Sequence, residues 1–261
     1  PFGDPCGPCS ILFSIQAVTK ISDNTLGCSP NSRIIGGAET TIDRFPYAVV
    51  LLSSTDGVNF VQTGGGSIIN NRSILTAKRI PTKQWRVRVG SSFANSGGSV
   101  HQISQIMINP SYEFIERDND IAVIHVSTAF VYGNNVQAAR IGGAGYILGD
   151  DVPVTAIGWG ETEYAGPGSE QLRSVDIWTV NQETCRTNYN LVSIRVTPNM
   201  MCAGHLGVGG RDVCSRDYGG PLLHNDVIVG VASLGFACGY ANYPGLYARV
   251  GQHADWIVSV A

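Results

Sequence analysis

The sequence predicts an all-β fold of the sandwich or barrel kind, ending in a short C-terminal helix. Three observations carry that expectation. Short β-branched, apolar runs recur from Ile34 onward; Gly, Asn and Pro punctuate the gaps between them; and the best amphipathic pattern lies at the end of the chain. A length of 261 residues is enough to bury a sizeable core, as two domains or as one two-lobed domain.

Residues 1–33 differ from the rest. They hold Cys6, Cys9 and Cys28 among Pro5, Pro8 and Pro30, show little periodicity, and read as an extension or pro-segment ahead of a domain at 34–261. Strands are expected in the runs Tyr47–Ser53, Gly66–Ile69, Trp85–Val89, Asp120–Val126, Val152–Ile157 and Val227–Ser233. The helix is expected over Ala254–Ala261, where Ala254, Ile257, Val260 and Ala261 share a face and Trp256 flanks it. No repeat or low-complexity tract interrupts this texture.

Composition narrows the function classes. With 14% charged residues and a net charge of −3, the chain carries no basic footprint for nucleic acid, while protein and small-molecule partners both stay open. No apolar run reaches membrane-spanning length. The sequence starts at Pro1 with no basic leader, so any signal peptide is expected to have gone already. Of seventeen basic residues only Lys20, Lys78 and Lys83 are lysines. Arginine keeps its charge above about pH 10, where lysine starts to lose it. Adaptation to an alkaline fluid and lineage bias both explain that imbalance. Seven Cys in a Gly-rich chain suggest an oxidising compartment. Asn71-Arg72-Ser73 is a glycosylation sequon in such a setting. Cys6-Gly7-Pro8-Cys9 has redox spacing but no strand before it, which favours a local or intermolecular bridge. Nothing in the sequence calls for a cofactor or a metal.

Several motifs follow in order: Arg33-Ile34-Ile35-Gly36-Gly37, Gly65-Gly66-Ser67-Ile68-Ile69 through Ile74-Leu75-Thr76-Ala77, Asp118-Asn119-Asp120-Ile121-Ala122, Gly158-Trp159-Gly160, Asp212 through Leu222, and Pro244-Gly245-Leu246-Tyr247. From Arg33 to the C-terminus this ordered set resembles the chymotrypsin/trypsin family of serine proteases, most closely the midgut trypsins of moths and butterflies. The resemblance implies two six-stranded antiparallel barrels with a site in the cleft between them. It implies disulfides Cys185–Cys202 and Cys214–Cys238. It also implies an activation junction at Arg33–Ile34, whose new amino terminus pairs with Asp217. Asp212, Ser233, Gly235 and Gly245 match the family's pocket for a Lys or Arg side chain; Leu234 stands where a Trp is expected.

The departures lie in the catalytic positions. Arg79 stands at the general-base histidine, Tyr218 at the nucleophilic serine and Arg216 at the oxyanion-hole glycine; the aspartate, Asp120, remains. The triad mechanism needs a hydroxyl on a short arm and a base with pKa near 7. A guanidinium is no base, because its pKa exceeds about 12. The family's third bridge, at the positions of Gly64 and Ile80, is missing on both sides. His101, His125, His205, His224 and His253 lie elsewhere in the motif order and read as ordinary histidines. The chain is therefore expected to be no enzyme. The expected role is a non-catalytic homologue that binds a protein: a protease in a cascade, an inhibitor for which it is a decoy, or a substrate-like protein. A weak trypsin-like hydrolase and a secreted storage or structural protein are the alternatives. The cation pocket is either open or occluded by Arg216 and Tyr218 at its mouth. An Arg79–Asp120 ion pair is expected in place of the relay, with Tyr218 packed over it; breaking such a buried pair costs about 3–5 kcal/mol.

The cysteine count makes a direct prediction. Cys6, Cys9 and Cys28 form at most one internal pair, so one of them stays free or joins another chain. Intact mass with and without reduction and alkylation measures this; a strict monomer with no free thiol and no small-molecule adduct contradicts it.

Overall fold

The structure is a computed structural model that describes residues 35–78, 84–163 and 165–261. Fourteen strands and two helices are present among these residues. After the short β1 (Ala38–Glu39), β2 (Ala48–Ser54), β3 (Val61–Ile68), β4 (Ser73–Thr76), β5 (Gln84–Val89), β6 (Ser99–Ile108) and β7 (Ala122–Val126) follow. The strands β2 to β7 close into a barrel in the order β2-β3-β4-β7-β6-β5. Every residue of β2 and β4 is buried. Ile74 of β4 lies opposite Ile124 of β7, and both are fully buried.

The second barrel uses β9 (Pro153–Gly158), β10 (Arg173–Val180), β11 (Met200–Gly204), β12 (Pro221–His224), β13 (Val227–Leu234) and β14 (Gly245–Arg249). They run β10-β11-β14-β13-β12-β9, and β9 pairs back onto β10 to close the ring. Two short strands ride on it: β1 pairs with β10, and β8 (Arg140–Ile141) runs parallel to β13. All other pairings in both barrels are antiparallel, so the two six-stranded antiparallel barrels implied by the resemblance are present.

The helices follow from local chemistry. Helix α1 (Gln182–Asn190) starts at Asn181, whose side-chain oxygen accepts from the Glu183 and Thr184 N–H groups. Helix α2 (Val250–Val260) buries Val250, His253, Ala254 and Ile257, one face at i, i+3, i+4 and i+7. It begins four residues before the expected start at Ala254, because its first turn reads Val-Gly-Gln-His and lacks an apolar repeat of its own. α1 was not expected: its mean hydropathy is low and only Cys185 and Tyr189 are buried. β6 was also missed, since most of its residues are exposed or half-buried and no apolar run marks it.

Two features of the second barrel shape the cleft. β13 carries a bulge between Ala232 and Leu234, which leaves Ser233 without a partner in the ladder and turns it toward the first barrel. Cys185–Cys202 ties α1 to β11, and Cys214–Cys238 ties the 212–220 loop to the segment after β13. Among the described residues no helix is long and apolar enough to cross a membrane.

The barrel cores should respond as close-packed interiors. Ile124→Ala removes most of a fully buried side chain from the β4–β7 seam. It is expected to destabilise the chain by about 2–5 kcal/mol in denaturant unfolding.

Candidate functional site

The cleft is built where the 212–220 loop of the second barrel lies against β3 and β4 of the first. Gly65 N–H donates to Tyr218 O at 2.9 Å, and Gln62 Nε2 donates to Arg216 O at 2.8 Å. The contact is close enough to require glycine. A Cβ on Gly65 would sit 3.2 Å from the Gly220 Cα, and one on Gly219, at φ +85°, would meet Gly65 O at 2.4 Å. Gly64, one of the two missing bridge positions, lies where an added Cβ would be 3.0 Å from Tyr218 O. A cavity of about 340 Å³ opens beside the loop, lined by Leu51, Gly64, Trp85, Glu161, Arg216 and Tyr218 among others. No histidine lines it. His125 bonds to Val260 O, and His253 lies on the buried face of α2.

Asp120 is 1% exposed. One of its oxygens accepts from the Lys78 N–H at 2.8 Å, and the other accepts from Ser233 Oγ at 2.6 Å. Its desolvated charge is thus met by a backbone donor and a hydroxyl. Arg79 lies outside the described residues, so the Arg79–Asp120 pair is not described. The same holds for Arg33, Ile34, Ile80, Cys6, Cys9 and Cys28, and hence for the activation junction and the pairing within the extension.

Asp217 is buried under Gly158-Trp159-Gly160. Its carboxylate accepts from Gly160 N at 2.7 Å and from Cys214 N at 3.1 Å. Burial pushes its pKa up to about 7, against those two bonds, with Glu161 adding repulsion. Asp212 sits at the base of the second pocket. It accepts from Val213 N at 2.8 Å and Gly239 N at 3.0 Å, and burial, reinforced by Asp217, pushes it up to about 7 as well. Ser233, Gly235 and Gly245 line this same pocket with Tyr218, the Cys214–Cys238 bridge, Val213, Leu234 and Ala237. Its volume is about 10 Å³. The structure therefore brings Asp212, Ser233, Gly235, Gly245 and Tyr218 together around one closed space, and Arg216 with Tyr218 around the open one. Arg216 is exposed, and its backbone holds φ +73°. Among the described residues no cluster of His, Cys, Asp or Glu could hold a metal ion.

A family model described as Trypsin matches residues 34–257. "Trypsin, alkaline B" of Manduca sexta is 51% identical over 229 residues, which cover 86% of this chain and 90% of that protein. "Trypsin CFT-1" of Choristoneura fumiferana is 49% identical over the same length and the same shares. "Achelase-1" of Lonomia achelous is 46% identical over 209 residues, or 77% of this chain and 95% of that protein. These similarities correct the expectation, built on Arg79 and Tyr218, that the chain is no enzyme. The proteins that share about half its residues over most of its length are named as trypsins. Two substituted side chains are a narrow basis against that. The scaffold that positions a reaction, from the Asp120–Ser233 bond to the 212–220 loop, is in place.

The two buried carboxyls make stability depend on pH. Between about pH 4, the ordinary carboxylate range, and about pH 7, where Asp212 and Asp217 titrate when folded, the folded chain holds protons that the unfolded chain has released. Their contribution to stability is therefore highest at the acid end of this window, falls as pH rises through it, and levels off above, while buried His253, whose pKa burial lowers, acts in the opposite sense. Thermal melts from pH 4 to 9 measure this slope. Asp217→Asn is expected to make it shallower, and an unchanged slope would refute the assignment.

Proposed function

The chain belongs to the trypsin family, and on that premise we propose that it is a weak hydrolase of peptide and ester bonds that works without the relay of the triad. The identity of about half its residues with trypsins carries this reading. Its chemistry follows from the groups that remain. With arginine at the position of the base, no neutral imidazole takes a proton, so the attacking group is water or hydroxide. What the site contributes is electrostatics and position. The Arg216 N–H makes no hydrogen bond among the described residues and stands beside the open cavity. This donor and the exposed guanidinium of Arg216 are suited to a developing oxyanion. In triad enzymes, groups of this kind alone retain about 10³–10⁴-fold acceleration over water. Loss of the nucleophile or base lowers kcat by about 10⁶.

The two disulfides, the cysteine-rich sequence and the arginine-dominated positive charge support secretion into an extracellular, alkaline fluid. The cleft also supports a protein ligand, whether a protease, an inhibitor or a substrate-like protein, held there for long because turnover is slow. The exposed Phe114 and Ile115 favour that second reading, as apolar residues that a bound protein would cover.

The pH profile of hydrolysis separates this mechanism from traces of an ordinary protease. Turnover of an activated ester by repurified protein is expected to rise in proportion to hydroxide, about tenfold per pH unit, with no inflection near pH 7. It should survive a serine-directed phosphonate and fall on Arg216→Ala. A rate no faster than buffer alone would end the hydrolase reading.

A further inference from the structure

We propose that Tyr218 sets the specificity of this site by filling the pocket above Asp212, so that a lysine or arginine side chain enters only when the phenol swings out. Three observations support this reading. The pocket has the walls of a cation site, with Asp212 at its base and glycines at Gly235 and Gly245, yet its free volume is about 10 Å³. That is room for about one water, where pockets for small molecules usually run to about 300 Å³ or more. At the Gly235 wall there is room: an added Cβ would meet nothing nearer than Ala237 O at 3.3 Å and the Tyr189 hydroxyl at 3.9 Å, whereas at Gly245 it would meet Asp212 Oδ1 at 2.8 Å. Tyr218 borders both this closed pocket and the 340 Å³ cavity beside it, and it is half-buried.

The charge inside the pocket agrees with a closed state. Asp212 is 2% exposed and has only backbone donors, from Val213 and Gly239, among the described residues. The groups that face it are Asp217 and the phenols of Tyr189 and Tyr247; none is a cation. A carboxyl in that setting is favoured neutral while the pocket is shut, and ionises when a cationic ligand displaces the ring. Substrate contacts in the shut state are left to the open cavity, next to Leu51, Trp85 and Arg216.

This inference rests on the reading of the site as a trypsin-type one, and binding tests it without turnover, so the two fail separately. Benzamidine, a small aryl amidinium, is titrated calorimetrically into the full chain at pH 8. The unaltered chain and Tyr218→Phe are expected to bind about 100-fold more weakly than Tyr218→Ala, the shift for a pocket open about 1% of the time. Tyr218→Ser, a second small replacement, is expected to match Tyr218→Ala, and adding Asp212→Asn to either should abolish the gain. Circular dichroism and melting temperature certify that each variant is folded. The proposal is overturned if the unaltered chain binds as tightly as the small-residue variants. It is equally overturned if a folded Tyr218→Ala or Tyr218→Ser binds no better than the unaltered chain, which would assign the closure to Leu234 or to the backbone.

Discussion

The architecture depends on a short acidic segment that reaches from one barrel into the other. Asp120 precedes β7 of the first barrel and accepts from Ser233 in β13 of the second. Two residues earlier, Asp118 accepts from Thr197 Oγ1 at 2.6 Å and from Asn199 Nδ2 at 3.1 Å, again in the second half of the chain. Asn119 between them takes φ +55°, which turns the two carboxylates apart so that each finds its own donors. A charged group as deep as Asp120 is tolerated only when its lone pairs are met. The bulge in β13 makes that possible for Asp120 by presenting a hydroxyl that regular pairing would have turned elsewhere.

Much of this was legible in the residues, for physical reasons that differ from place to place. β2 and β13 are long apolar runs with β-branched residues, and both are strands. β4 and β7 pair through Ile74 and Ile124, within stretches that the apolar pattern or the ordered motifs marked. α1 was illegible because its helix is secured by a cap at Asn181 and by the Cys185–Cys202 bridge rather than by an apolar stripe; the Asn followed by Gln-Glu was the signal available. β6 was illegible because a barrel strand with a solvated face needs few apolar residues. At the site, the identities of Arg216 and Tyr218 were plain from their place in the motif order. The direction in which a phenol points is a matter of packing, and only the three-dimensional arrangement around Gly235 and Tyr189 speaks to it. The inference from two residue types to absence of enzymic function was drawn too far: the identity of the rest of the chain with trypsins weighs against it.

Asp212 and Asp217 form a second theme. Both are buried, five residues apart, and burial is the main reason each favours the neutral form; Asp217 adds a minor repulsion at Asp212, and Glu161 adds one at Asp217. The fold keeps them because each organises backbone that would otherwise be unpaired: Asp217 holds the N–H groups of Gly160 and Cys214, and Asp212 those of Val213 and Gly239. Added Cβ atoms at Gly158 and Gly160 would lie 2.1 Å and 2.4 Å from the Asp217 carboxyl group, so these glycines are the space the carboxyl occupies. A carboxyl held so tightly between backbone groups acts as a spacer whose shape matters as much as its charge.

Arg216 occupies a backbone conformation, φ +73°, that costs a residue with a side chain on the order of 1 kcal/mol or more and a glycine almost nothing. At this conformation Gln62 holds the Arg216 carbonyl, and Asp217 holds the turn below. A glycine at this position would hold the same backbone at lower conformational cost, so the shape of the loop does not depend on the side chain now mounted on it.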